Sequence, residues 1–211
     1  MIRFWNAFTK ITAWPVQWVC FRTKVFYEDR EAQGRRIRGP AVLVSNHTAV
    51  FDYAVWMFVF LSRTLRFQMA EVLFEKKLLG WFLRKLGGVR VDRDAHNCTS
   101  IEASLDILDA GGVVGIFPES RLPLKGEERP IAFKTGAAYI ALISGAPVIP
   151  VYTDGSYFKL KKRARVIIGR PVDVSEWIVE GAAEKENVAI ITEKLRERII
   201  ELRELLNEKQ R

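Results

Sequence analysis

Short apolar runs alternate with longer amphipathic stretches along most of the 211 residues. Ala41-Val42-Leu43-Val44 and residues 113–117 are continuous apolar runs of strand length, and residues 66–70, 147–152 and 165–168 predict further strands. Val89 and Val91 alternate with arginine, which predicts a strand that delivers Arg93 at its carboxyl end. Residues 50–61, almost wholly apolar, predict a buried helix. Residues 75–86 predict one or two helical turns closed by Gly87-Gly88. Thr99-Ser100-Ile101-Glu102 has the form of a capping box, followed by an Ile101, Leu105, Leu108 stripe that Gly111-Gly112 stops. Residues 131–144 predict a helix with small residues on one side, ended by Gly145. From Glu184 onward Val188, Ile191, Leu195, Ile199, Leu202 and Leu206 share one helical face. The pattern predicts an α/β fold: a single domain with a mixed central sheet flanked by helices.

The amino end breaks this rhythm. Residues 2–27 carry Phe4, Phe8, Ile11, Trp18, Phe21 and Val25 at helical spacing, with Trp5 and Trp14 among them and Arg3, Lys10, Arg22 and Lys24 alongside. Pro15 is expected to bend the segment into two short helices. Two readings fit: packing on the core, or an amphipathic membrane anchor over residues 1–30, with the density of tryptophan favouring the anchor. Residues 11–21 are uncharged, but a span needs about 20 apolar residues, and no small-residue cleavage site follows. The segment is expected to lie on a membrane, not to cross it.

Composition narrows the partners. Hydrophobic residues at 49% and charged residues at 27% describe a globular chain, and a net charge of +8 points to an anionic partner. Nucleic acid, a phospholipid surface and a phosphorylated metabolite all satisfy charge alone. A nucleic-acid partner is not expected, because no recognition motif accompanies the charge. Cys20 and Cys98 are isolated thiols, which suggests a reducing compartment without disulfides.

The candidate chemistry begins at Asn46-His47-Thr48-Ala49-Val50-Phe51-Asp52, where a strand hands over to a helix. Inside one regular helix, His47 and Asp52 would point about 140° apart. They meet only if His47 lies in the turn and folds back over the first helical turn. Asp52 then accepts from one imidazole nitrogen and leaves the other free to take a proton. A structural histidine and a helix-dipole aspartate are the alternative. Arg93 suits bidentate contact to a phosphate, or an ion pair with Asp92 or Asp94. Glu119 and Arg121 emerge where the strand at 113–117 ends, and Lys134 lies near the start of the next helix. The carboxylates and histidines are too scattered to suggest a metal site, and none is expected.

These residues resemble the glycerolipid acyltransferases that include 1-acylglycerol-3-phosphate acyltransferases. Asn46-His47 and Asp52 reproduce the family's histidine, four residues, aspartate signature. Gly88-Val89-Arg90-Val91-Asp92-Arg93 matches its glycine-to-arginine segment, with Arg90 where the family has an apolar or aromatic residue. Phe117-Pro118-Glu119-Ser120-Arg121 keeps the start of Phe-Pro-Glu-Gly-Thr-Arg-Ser but lacks the glycine and is one residue short. Phe133-Lys134-Thr135-Gly136 and Pro150 complete the set, over about residues 39–151.

The resemblance implies that His47 takes a proton from an acceptor hydroxyl while Asp52 orients the ring. The hydroxyl attacks the thioester of an acyl-CoA or acyl carrier protein directly, with no cofactor. It implies a phosphate contact at Arg93, with Arg121 and Lys134 as secondary candidates. Glu119 contacts acceptor hydroxyls or holds a base in place, and Asn46 and Gly88 join the substrate site through their motifs. It also implies an acyltransferase domain over residues 31–211, lysophosphatidic acid as acceptor, and a peripheral or monotopic place on the cytoplasmic face of a phospholipid membrane. Another lysophospholipid, glycerol 3-phosphate, or a non-catalytic lipid-binding role are the alternatives.

Overall fold

A strand with neighbours on both sides and helices on both faces is buried all round, so it is written in apolar residues throughout. Ala41-Val42-Leu43-Val44 obeys this rule at the centre of a seven-stranded sheet, fully buried. The structure, a computed structural model, describes residues 1–92, 98–159 and 162–209. Its strands are β1 (Lys24–Tyr27), β2 (Ala41–Ser45), β3 (Leu65–Ala70), β4 (Val89–Val91), β5 (Val113–Ile116), β6 (Val148–Thr153) and β7 (Arg165–Ile168). They lie in the order β1-β7-β6-β2-β5-β3-β4. Neighbours are parallel except β6 and β7. The sheet is mixed, as expected.

Period-two alternation divides the core between two faces. Val42, Val44, Val114 and Ile116 pack toward α6 (Thr99–Asp109), α7 (Gly136–Ser144) and α8 (Glu184–Glu208). Ala41, Leu43 and Val113 pack toward α3 (Asp52–Val59), which contributes Val55, Trp56 and Val59. All six apolar residues read as the stripe of α8 are buried. Each such side chain contributes roughly 1.5–3 kcal/mol, so this face holds the helix to the sheet.

Three local expectations fail. Residues 24–27, read as part of the amino-terminal helical segment, form β1, whose four residues pair with β7. The sheet therefore begins inside the segment assigned to the anchor. Residues 131–135 are not helical, and α7 starts at Gly136. Pro130 precedes them, and the Ile131 N–H and Lys134 N–H bond to Glu119 Oε2 and the Pro118 carbonyl. The capping box does not form either: Cys98 is the N-cap of α6, Thr99 lies inside the first turn, and no side chain caps it.

The amino end does bend near Pro15, into α1 (Ile2–Thr12), α2 (Trp14–Val16) and a π-helical turn at Gln17–Phe21. On the inner side of α1, Asn6 Nδ2 donates to the Leu86 carbonyl at the end of α5 (Lys77–Leu86), which follows the one-turn α4 (Val72–Glu75), at 2.9 Å. Trp5 meets Trp81 edge-on, with ring centroids 5.2 Å apart. Lys10 Nζ donates to the carbonyls of Leu61 and Arg63, and burial lowers its pKa to about 8. The outer side of the segment stays apolar and exposed. Among the described residues no helix is long and apolar enough to cross a membrane.

Candidate active site

His47 stands two residues beyond the end of β2, in the turn that leads into α3. Asp52 begins that helix, fully buried, and the ring folds back to meet it with Nδ1 2.9 Å from Oδ2. Four other donors converge on the same carboxylate. The N–H groups of Thr48 and Ala49 reach Oδ2 at 2.6 and 2.9 Å, and the hydroxyls of Thr48 and Tyr157 reach Oδ1 at 2.8 and 2.6 Å. Every lone-pair direction of Asp52 is in use, so its position is over-determined. With Nδ1 as donor to Asp52, Nε2 keeps its lone pair.

Two more groups hold the histidine. Glu119 Oε1 accepts from the backbone N–H of His47 at 2.8 Å, and Oε2 accepts from Ile131 N–H at 3.3 Å. Glu119 is only 2% exposed, and both its oxygens are engaged by backbone N–H groups, so it ties the turn that bears His47 to the loop after β5. Burial pushes its carboxyl pKa up, against the lowering by those two hydrogen bonds. Phe117 stacks on the imidazole at 4.4 Å, and Phe67 stacks on Phe117 at 5.1 Å. An ideal Cβ on Gly115 would sit 2.4–2.6 Å from the Phe67 ring, so glycine makes room for the stack. Gly115→Ala is expected to cost about 1–3 kcal/mol and to lower kcat by displacing His47. Thermal unfolding and turnover check this, and Phe67→Leu in the same chain should recover both.

The imidazole opens on a cavity of about 390 Å³ whose wall is mainly apolar. Val50, Leu73, Leu79, Leu83 and Val91 supply much of it, and Ser120 also lines it. Ser120 stands where the resembling motif has glycine, and its φ is +56°. It is the centre of a tight turn in which Arg121 N–H bonds to the Glu119 carbonyl at 2.7 Å. The glycine-type backbone is kept although the glycine is not, so Glu119 still reaches His47.

Asn46, Arg121 and Lys134 do not gather here. Asn46 is buried, with its amide spent on both backbone groups of Thr153, at 2.9 and 3.0 Å. It ties the end of β2 to β6 and does not line the cavity. Arg121 is exposed and forms a bidentate pair with Glu127. Arg90 pairs with Glu71. Lys134 is exposed, and its backbone N–H bonds to the Pro118 carbonyl. Gly88 is a close approach: an added Cβ would lie 3.2 Å from Phe74 and 3.4 Å from Met69. Arg93 lies outside the described residues; Val91, two positions before it, lines the cavity. Tyr157 and Thr48 join the site through Asp52, outside the residues expected from sequence. Thr48 lies inside the signature, whereas nothing local marks Tyr157.

Residues 24–154, which include all of these groups except Tyr157, match a family model described as Acyltransferase. The chain is 30% identical over 172 residues to the 1-acyl-sn-glycerol-3-phosphate acyltransferase of Bacillus subtilis (strain 168), covering 79% of this chain and 83% of that protein. It is 27% identical over 158 residues to human 1-acyl-sn-glycerol-3-phosphate acyltransferase beta, covering 70% and 55%. Among solved structures it resembles the 1-acyl-sn-glycerophosphate (LPA) acyltransferase PlsC from Thermotoga maritima. The TM-score is 0.65 at 22% identity, covering 96% of this chain and 79% of that one.

Proposed function

The chain belongs to the acyltransferase family whose model its residues 24–154 match, and from that membership we propose that it acylates lysophosphatidic acid at a membrane surface. The observation that carries this reading is the His47–Asp52 pair at 2.9 Å, set at the mouth of an apolar cavity. Nε2 of His47 takes the proton of the acceptor's free hydroxyl as its oxygen attacks the thioester carbonyl. The carbon–sulfur bond then breaks, and the thiolate leaves with the proton returned by the imidazolium. No enzyme nucleophile enters, and positioning supplies much of the rate. The cavity suits a fatty chain, and Arg93 is the group proposed to hold the acceptor phosphate. The donor is an acyl-CoA or acyl carrier protein thioester.

The test is a screen with radiolabelled acyl-CoA and acyl carrier protein against lysophosphatidic acid, glycerol 3-phosphate and other lysophospholipids. Product only from acceptors that lack a phosphate monoester would overturn the reading.

The membrane side of the proposal rests on an apolar skin of exposed side chains. Phe4, Phe8, Ile11 and Trp18 are exposed along the amino-terminal segment, and Leu78 and Trp81 continue the patch on α5. Val50 and Phe51 are exposed as well and line the His47 cavity. Patches of this kind mark interaction surfaces. Arg3 and Lys24 lie on the same segment, which suits the anionic cytoplasmic face. Deleting residues 1–27 would strip β1 from the sheet, so substitution is the cleaner test. Ile11→Ser with Trp18→Ser is expected to weaken vesicle sedimentation about tenfold or more, while turnover on a short-chain, monodisperse acceptor is kept. Sedimentation equal to the unaltered chain would count against the anchor.

A further inference from the structure

A second cavity, of about 810 Å³, lies at the other end of the sheet. Ala41 and Pro147, where β2 and β6 begin, line it together with Tyr27 at the end of β1, whereas His47 stands beyond the opposite end of β2. Four arginines face it, Arg30, Arg35, Arg36 and Arg38, against a single carboxylate, Glu31. The acids just before them are already engaged: Glu28 pairs with Arg198, and Asp29 with Arg170. Among the described residues Arg36 and Arg38 are exposed and make no ion pair.

The other two arginines are held in place. Arg35 donates to the carbonyls of Phe58 and Val59 at the end of α3, at 2.8 Å each. Arg30 lies over the Tyr27 ring at 5.5 Å. Four guanidinium groups against one carboxylate leave an excess of positive charge, which holds a standing potential for an anion. Forked guanidinium donors match the oxygens of a phosphate better than a point-charge ammonium does.

The rest of the wall says what the phosphate is attached to. Val59, Leu61 and Ile149 make it partly apolar. The Leu61 carbonyl accepts Lys10 from α1, and Trp14 packs edge-on against Phe58, 6.2 Å away. The cavity therefore abuts the tip of the amino-terminal segment, beside the apolar skin. A free metabolite has no use for that neighbour, but a lipid does.

We propose that this cavity is a second anion site, which takes the headgroup phosphate of an anionic glycerophospholipid from the bilayer and does no chemistry on it. It rests on the membrane reading above. Its effect is to fix how the domain sits on an anionic membrane, by a contact at the far end of the sheet from His47.

The test compares binding to phosphatidylcholine vesicles with binding to vesicles doped with phosphatidylglycerol. The chains are the unaltered one, Arg36→Glu/Arg38→Glu and Arg36→Lys/Arg38→Lys. The unaltered chain is expected to prefer doped vesicles, and charge reversal to reduce that preference about tenfold or more, with binding to neutral vesicles and turnover on a short-chain acceptor unchanged. The lysine pair keeps the charge but not the fork, so a built phosphate site predicts that it also loses most of the preference. A lysine pair equal to the unaltered chain would reduce the effect to diffuse surface charge and overturn the site. Stabilisation by soluble glycerol phosphate that charge reversal removes, without any vesicle preference, would assign a free phosphate instead and overturn the lipid. If the unaltered chain binds neither vesicle, the membrane reading falls and this inference with it, whereas loss of the preference alone leaves that reading standing.

Discussion

His47→Ala is expected to lower kcat by about 10²–10⁴, the range set by a positioned general base, with the chain still folded and still bound to vesicles. The ring is held through Nδ1 by Asp52 and through its backbone by Glu119, so it is the free Nε2 whose loss is felt. Asp52 separates chemistry from folding when two replacements are compared. Asp52→Ala would leave five donors without an acceptor, and each unmet buried donor costs about 1–3 kcal/mol. That variant should unfold at markedly lower temperature. Asp52→Asn can keep its carbonyl oxygen toward His47, Thr48 and Ala49, while the hydroxyls of Thr48 and Tyr157 turn to accept from its NH₂. Its Tm should stay near that of the unaltered chain while kcat falls, because the carboxylate that would stabilise the imidazolium is gone. Single-turnover assays with labelled acyl donor, read beside thermal unfolding, check all three. Unaltered turnover in His47→Ala would refute the mechanism.

Glu119→Ala should combine a loss of stability with a loss of rate, because Glu119 holds the backbone that bears His47. It removes the acceptor for two backbone N–H groups at once, those of His47 and Ile131. At about 1–3 kcal/mol for each unmet donor and about 2–4 °C per kcal/mol in a chain of this size, Tm should fall by several degrees. The turn bearing His47 then loses its tether to the loop after β5, and kcat should fall with it. Glu119→Gln keeps one oxygen for His47 but sets an amide NH₂ against the Ile131 N–H, so its defect should be smaller. A pH series gives a second readout. Burial raises the Glu119 pKa above its ordinary value of 4.5, so in the window above that value the folded chain binds more protons than the unfolded one. By linkage, the stability from this group is present at lower pH and lost as pH rises through the folded-state pKa. Glu119→Gln lacks the titration. Its deficit in Tm relative to the unaltered chain should therefore be widest near pH 4.5 and narrow as pH rises; a constant deficit would mean that Glu119 does not titrate there.

Tyr157 shows where local sequence stops informing. It contacts Asp52 from 105 positions away, with its hydroxyl also bonded to Thr153 and its pKa raised well above the usual range, first by burial and then by the Asp52 charge. Asn46 reaches Thr153 across 107 positions. In each case the partner is chosen by which strand ends lie side by side, and no spacing within one segment records that. The residues at 24–27 fail for a related reason. Bulky apolar side chains at helical spacing run on from a true helix into them, and only pairing with β7 draws those four residues out as a strand. Ile131, expected to open the helix at 131–144, lies before α7, with its N–H bonded to Glu119.

What the sequence alone determined was whatever depends on near neighbours: the central strands, written in mostly apolar residues because both their faces are buried; the apolar stripe of α8; and the condition that His47 can meet Asp52 only by folding back across a turn. Tertiary structure decided the rest. It set Glu119 against the backbone of His47 and Ile131, spent Asn46 on the sheet, sent Arg121 to Glu127, and placed four arginines at the end of the sheet opposite the histidine. The division has one physical cause. Periodicity and burial act through adjacent residues and leave a pattern along the chain, whereas a hydrogen bond between distant segments leaves none until the sheet order sets them against each other.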